Sequence, residues 1–136
     1  MFVEGGHERA GLSAAKVDVA IRGHPEAKLF LRSHPARTTA KEEQAHTIQI
    51  GLENREAIEK WSEEAKNVEE TWGLTELDYW MRSARDPSVQ AGLAEVYATL
   101  WKFGISRDQN IFNPIMGKYV KPEHVCVPFL PALNDP

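Results

Sequence analysis

A chain of 136 residues with a formal charge of −4 suits one domain with a modest core, and its mixed charge argues against a nucleic-acid binder held mainly by phosphate contacts, which needs a concentrated positive surface. The single cysteine, Cys126, excludes an intramolecular disulfide and a cysteine-cluster metal site, so nothing asks for an oxidising compartment. No stretch approaches the roughly 18 apolar residues of a membrane span, and Met1–Gly6 lacks the basic and then apolar order of a secretory signal; the expectation is a soluble, cytoplasmic protein.

The first forty residues carry the weakest signal. Leu12, Ala15, Val19 and Ala20 fit a short helix ending near Gly23, while Val17, Val19 and Ile21 alternate equally well as a strand. Arg22-Gly23-His24-Pro25 and Arg32-Ser33-His34-Pro35 repeat one pattern around the apolar knot Leu29-Phe30-Leu31. Each proline biases the preceding histidine toward extended backbone, so the expectation is an arm over residues 1–38 with one short helix between its prolines. This arm has six Lys and Arg against four acids, whereas residues 41–70 hold nine acids against four bases, the pattern of a solvated helix face.

From Thr39 onward the punctuation sharpens. Thr39 and Glu42 fit a capping box, predicting a helix from about Ala40, with Gly51 bending or interrupting it. Ile58, Trp61, Ala65, Val68 and Trp72 recur at spacings of three and four, which predicts a helix over 52–72 closed by Gly73. Thr75 with Asp78 reads as another capping box, and Leu77, Trp80, Met81 and Ala84 as the apolar face of a shorter helix. Asp86-Pro87 then supplies an acceptor at the cap and a proline at the first helical position. Val89, Leu93, Val96, Tyr97 and Leu100 give this helix its face, and Gly104 ends it. Ile111-Phe112 is a candidate buried anchor, Pro122-Glu123-His124 a candidate final helical turn, and the Pro-rich tail over 126–136 should lie extended.

The expected fold is therefore mainly α: a small bundle of three to five helices over 39–125, with an irregular N-terminal arm and an extended C-terminal tail. Its expected core contains Ile58, Trp61, Val68, Trp72, Leu77, Trp80, Leu93, Val96 and Leu100.

Little in this sequence is arranged for catalysis. No pair of its five histidines has the i, i+4 spacing or the close carboxylate companion of a zinc or iron site, and no glycine pattern cradles a phosphate. Adjacent acids such as Glu63-Glu64 and Glu69-Glu70 point about a hundred degrees apart on a helix and cannot share one substrate. No catalytic residue, metal ligand or cofactor is assigned. Trp101 is the informative exception among the four tryptophans: it lies at the margin of its helix's apolar stripe, beside Lys102 and Phe103, as a candidate contact for a partner.

Asn54-Arg55-Glu56, Glu70-Thr71-Trp72 with Leu74-Thr75, Ala84-Arg85-Asp86, and Val96-Tyr97 with Leu100 and Lys102 resemble the small alpha subunit of protocatechuate 4,5-dioxygenase-type extradiol ring-cleaving enzymes. The resemblance covers about residues 52–104. It departs where Ala94-Glu95, rather than the family's Gly-Gly-Asn, precede Val96-Tyr97. It implies helices opening at the Leu-Thr and Ala-Arg-Asp pieces, and an accessory subunit or lid for a larger partner that holds the non-haem iron. Arg85 and Tyr97 then join Trp101, Lys102 and Phe103 as partner or lid candidates. Two other readings stand beside it. Glu53 to Leu74 is also similar to the toxin-binding tail of plasmid-addiction antitoxins, which acts by helix-in-groove docking. A stand-alone enzyme or ligand-binding domain would require ionisable groups converging on a pocket. A homo-oligomer is compatible with each reading.

Overall fold

The computed structural model describes residues 2–5, 14–66, 68 and 70–126, with the side chains of 2–5, 14–17, 78 and 79 left aside. The elements run β1 (Phe2–Gly5), α1 (Ala14–Gly23), β2 (Leu29–Ser33), α2 (Ala40–Gln49), α3 (Arg55–Glu64), β3 (Thr75–Arg82), α4 (Pro87–Phe103), a 3-10 turn at Asp108–Asn110, α5 (Phe112–Met116), a second 3-10 turn at Pro122–His124, and β4 (Val125–Cys126). The expected extended tail from residue 127 lies outside the described residues.

The mainly α, helical-bundle expectation is overturned by a four-stranded mixed sheet of order β1-β3-β2-β4. β3 pairs antiparallel with both β1 and β2, and β4 joins the outer edge of β2 in parallel. Two segments expected to be helical are strands. The segment between Pro25 and Pro35 is β2, whose Leu29, Phe30 and Leu31 are all fully buried, as a strand covered on both faces requires. The segment from Thr75 is β3: its helical spacing of Leu77, Trp80 and Met81 is overridden by ladders on both sides. The arm over 1–38 thus supplies two of the four strands, both paired with β3. A bulge between Phe30 and Arg32 shifts the β2–β3 register.

The helices pack chiefly on one face of this sheet. Leu29, Leu31 and Trp80 meet Ile58 and Trp61 of α3, Leu93 and Val96 of α4, and Phe112 and Ile115 of α5 in one core. Trp80 and Phe112 meet edge to face at 5.3 Å between centroids. Phe30 and Met81, paired across β2 and β3, are buried on the opposite face. Among the residues expected in the core, Trp72, Leu77 and Leu100 are only partly buried, at its margin, and Val68 is likewise only partly buried.

Local chemistry explains the helix ends. Thr39 caps α2 by accepting the Glu42 N–H, and Gly51 follows that helix at φ 80°. Asn54 caps α3, which ends at Glu64, well short of the predicted Trp72. Asp86 caps α4 with Pro87 in its first turn, and Gly104 closes it in the left-handed conformation at φ 72°. No helix among the described residues is long and apolar enough to cross a membrane.

Candidate functional site

Three features stand out: a buried polar knot beside β2 and β3, two grooves around the end of α3, and the outer face of α4.

The polar knot begins at His34, whose side chain is only 6% exposed. Its Nδ1 accepts the backbone N–H groups of Ala36 and Arg37 at 3.1 and 3.0 Å, fixing the turn after β2. Its Nε2 lies 3.7 Å from Glu43 Oε2 and 3.9 Å from Glu76 Oε1. Arg37 Nε donates to Glu43, and Gln109 Nε2 reaches both Glu76 Oε1 and the Thr75 carbonyl. The knot continues through Asn113, which accepts from the Thr75 hydroxyl at 2.9 Å and donates to the Gly73 carbonyl.

This convergence is poorly suited to metal binding. Because Nδ1 accepts two backbone hydrogen bonds, the neutral ring carries its proton on Nε2, the nitrogen facing the carboxylates, and has no lone pair to offer a cation there. Among the described residues no group of three histidine, cysteine or acidic side chains is spaced to hold a metal ion. Neither of the two grooves around the end of α3 is lined by His34, Arg37, Glu43 or Glu76. The knot ties α2 and the 109–113 segment to the sheet.

A second buried carboxylate has the same structural character. Glu53 accepts the N–H groups of Asn54, Ser106 and Arg107 and the Asn110 amide, at 2.8–3.1 Å. Burial pushes its carboxyl up, but the four donors outweigh burial and hold it below the usual value. At the start of α4, burial likewise opposes ionisation of Asp86; donation from Ser88, Val89 and Lys28 prevails and lowers its pKa to about 2. Cys126 is half-buried, and burial pushes its thiol up, away from the thiolate that a nucleophile needs.

The two grooves share Trp61, Ala65 and Val68. One, of about 240 Å³, opens beside Lys41, Gln44 and Lys66; the Glu70 carboxylate there accepts the Ala40 N–H at 2.7 Å and occupies the start of α2. The other, of about 370 Å³, lies between α3 and α4. Its rim is closed by exposed or partly exposed ion pairs, Lys102–Glu64 at 2.9 Å and Lys118–Glu95, with Tyr119 donating to Glu95.

The outer face of α4 is of a different kind. Pro87, Gln90, Ala91, Ala94, Tyr97, Ala98 and Trp101 are exposed and fall within a sector of about 120° on the helix. None is charged. The outer side of α3, by contrast, carries Arg55, Glu56, Glu59, Lys60, Glu63 and Glu64. Trp101 is 89% exposed and Tyr97, one turn earlier, 58% exposed. The other sequence-selected candidates lie elsewhere. Lys102 is held by Glu64, Phe103 is partly buried against the core, and Arg85 is exposed in the turn between β3 and α4. The structure thus joins Tyr97 and Trp101 on one surface and leaves Arg85 off the helix. Sequence reasoning passed over the alanines and Gln90, whose signal was the missing charge at i, i+3, i+4 and i+7 along this helix.

Compared with protein families, curated proteins and solved structures, the chain matches none of them.

Proposed function

We propose that this chain is a non-catalytic interaction subunit that works by docking the outer face of α4 on another protein surface. The observation carrying this reading is Trp101, 89% exposed with Tyr97 beside it on a helix face without charge. Large aromatic groups of this kind supply much of the binding energy where proteins meet, and such a face is costly to leave in water. Helix-in-groove docking through residues 53–74 is less favoured, since α3 already buries Ala57, Ile58 and Trp61 in the chain's own core.

A ring-cleaving dioxygenase is one candidate for the other protein, on the resemblance of residues 52–104. One of that resemblance's landmarks, Leu74-Thr75, opens a strand rather than a helix, so the proposal rests on the α4 face. The test is co-purification with the intact chain and with its Trp101→Ala variant. An identified partner retained by the wild type and lost by the variant, at unchanged melting temperature, supports the reading. Full retention by the Tyr97→Ala, Trp101→Ala double variant overturns it. Were the partner an iron-dependent ring-cleaving enzyme, omission of this chain would abolish cleavage.

A further inference from the structure

Resting on that reading of α4 as the docking surface, we infer that its occupant is a second copy of this chain, bound α4 against α4 in antiparallel orientation about a two-fold axis at Ala94. The exposed stripe is graded in size: Pro87, Gln90, Ala91 and Ala94 occupy its first half, Tyr97, Ala98 and Trp101 its second. An isologous two-fold contact pairs one half with the other, and the residue on the axis meets itself.

The helical positions fix the pairing. Ala94 lies at the centre of the 120° sector, with Ala98 and Ala91 on one flank and Tyr97 and Gln90 on the other. Antiparallel alignment on Ala94 therefore places Ala98 opposite the partner's Ala91 and Tyr97 opposite the partner's Gln90. Trp101 falls over the partner's Pro87. Three small pairs at the centre allow close approach of the two backbones, and each indole covers the exposed proline at the opposite end. Tyr97 and Gln90 bring a phenol and an amide into reach of each other, so the polar atoms at the margin find partners.

Charge and area favour the same arrangement. No ionised side chain lies on the stripe, so the symmetry sets no charge against its own copy. Antiparallel alignment also lays the negative end of each α4 dipole beside the positive end of the other. Trp101 and Tyr97 together offer about 300 Å² per chain, which the two-fold doubles to about 600 Å². With the alanines, Gln90 and Pro87 the total moves toward about 1,200 Å², the lower end of specific interfaces, so the dimer is expected to be reversible and concentration-dependent.

Sedimentation equilibrium of the intact chain across the micromolar range, with three variants, tests this. The wild type should reach a monomer–dimer equilibrium. Trp101→Ala should weaken it roughly thirtyfold, because the two-fold removes an indole from each end of the contact at once. Ala94→Glu, a solvent-facing change that α4 tolerates, should abolish the dimer by opposing two carboxylates on the axis, with the melting curve as control for folding. Ala94→Cys in a Cys126→Ser background should cross-link two chains through position 94 on mild oxidation. A strictly monomeric wild type, or a dimer indifferent to both Ala94→Glu and Trp101→Ala, overturns the inference. A monomer that binds a different protein through Trp101 overturns self-pairing alone and leaves the interaction reading standing; a monomer whose binding ignores Trp101 removes both.

Discussion

Glu53 and Asp86 each hold a carboxylate against several donors, and so set how the fold responds to acid. Both have folded-state pKa values below their unfolded values, so each contributes stability above the unfolded value that is lost as the pH falls. For Asp86 the window runs from 3.8 down to about 2, and Glu53 adds its loss below 4.5. Urea midpoints measured from neutral pH to pH 3 should therefore hold level until the pH nears these unfolded values and fall below them. The slope should shrink in Asp86→Asn and Glu53→Gln. Asp86→Ala should cost about 1–2 kcal/mol through the lost cap. Glu53→Gln should cost about 2 kcal/mol, because an amide nitrogen replaces one acceptor oxygen among the N–H groups of residues 54, 106 and 107. These residues also show what was legible locally. The Asp86-Pro87 cap was readable because its donors lie two and three residues away. Glu53 and the His34 knot were not, since Ser106 and Arg107 lie more than fifty residues from Glu53, and Glu76 lies 42 from His34.

At the scale of elements, α4 and α5 meet at a glycine. A Cβ added at Gly92 would stand 2.6 Å from Met116 Sδ and 3.0 Å from its Cε. Met116 is fully buried and has little room to give. Gly92→Ala gains about 1 kcal/mol of helix propensity and meets an overpacking cost of about 1–3 kcal/mol. The net expectation is destabilisation near 1 kcal/mol by thermal melting, with a smaller or reversed effect in a Met116→Ala background. The predicted α4 agreed in both ends because its signals are local: proline and glycine act through their own backbone, and the Asp86 carboxylate accepts from Ser88 and Val89 in the first turn. β3 was misread for the opposite reason. Thr75 with Asp78 mimics a capping box, and Leu77, Trp80 and Met81 fit a helical stripe. What makes the segment a strand is pairing with residues 2–5 and 29–33, which no local window contains. β2 was hidden similarly between two prolines.

Across the whole molecule, core and surface aromatics have separate tasks. Trp61 and Trp80 are buried, and Trp101 stands almost entirely outside. Trp101→Ala should therefore leave the unfolding free energy of the monomer within about 0.5 kcal/mol, whereas Trp80→Ala should lower it by about 3–5 kcal/mol. Denaturation at a concentration too low for association separates the two. The sequence made Trp101 conspicuous through its place on the helix margin. It did not reveal the uncharged stripe around it, because the exposure of Ala91, Ala94 and Ala98 depends on which side of α4 the sheet and α5 occupy.

β3 also governs when the chain can fold. Both of its neighbours come from far upstream: Phe2 pairs with Arg82, and Leu29 pairs with the same arginine. During synthesis, the buried run Leu29-Phe30-Leu31 must therefore wait for residue 82 before its ladder to β3 can close, and for residues 125–126 before its outer edge is covered. Such non-local pairing slows folding relative to a helical bundle of equal length, toward milliseconds or longer. Stopped-flow refolding monitored by tryptophan fluorescence should show this slower phase, and a ribosome-bound nascent chain ending before residue 75 should expose the Leu29-Phe30-Leu31 run to proteases or chaperones. The strand that most resembles a helix in sequence is thus the one whose late arrival sets the time during which the growing chain needs protection.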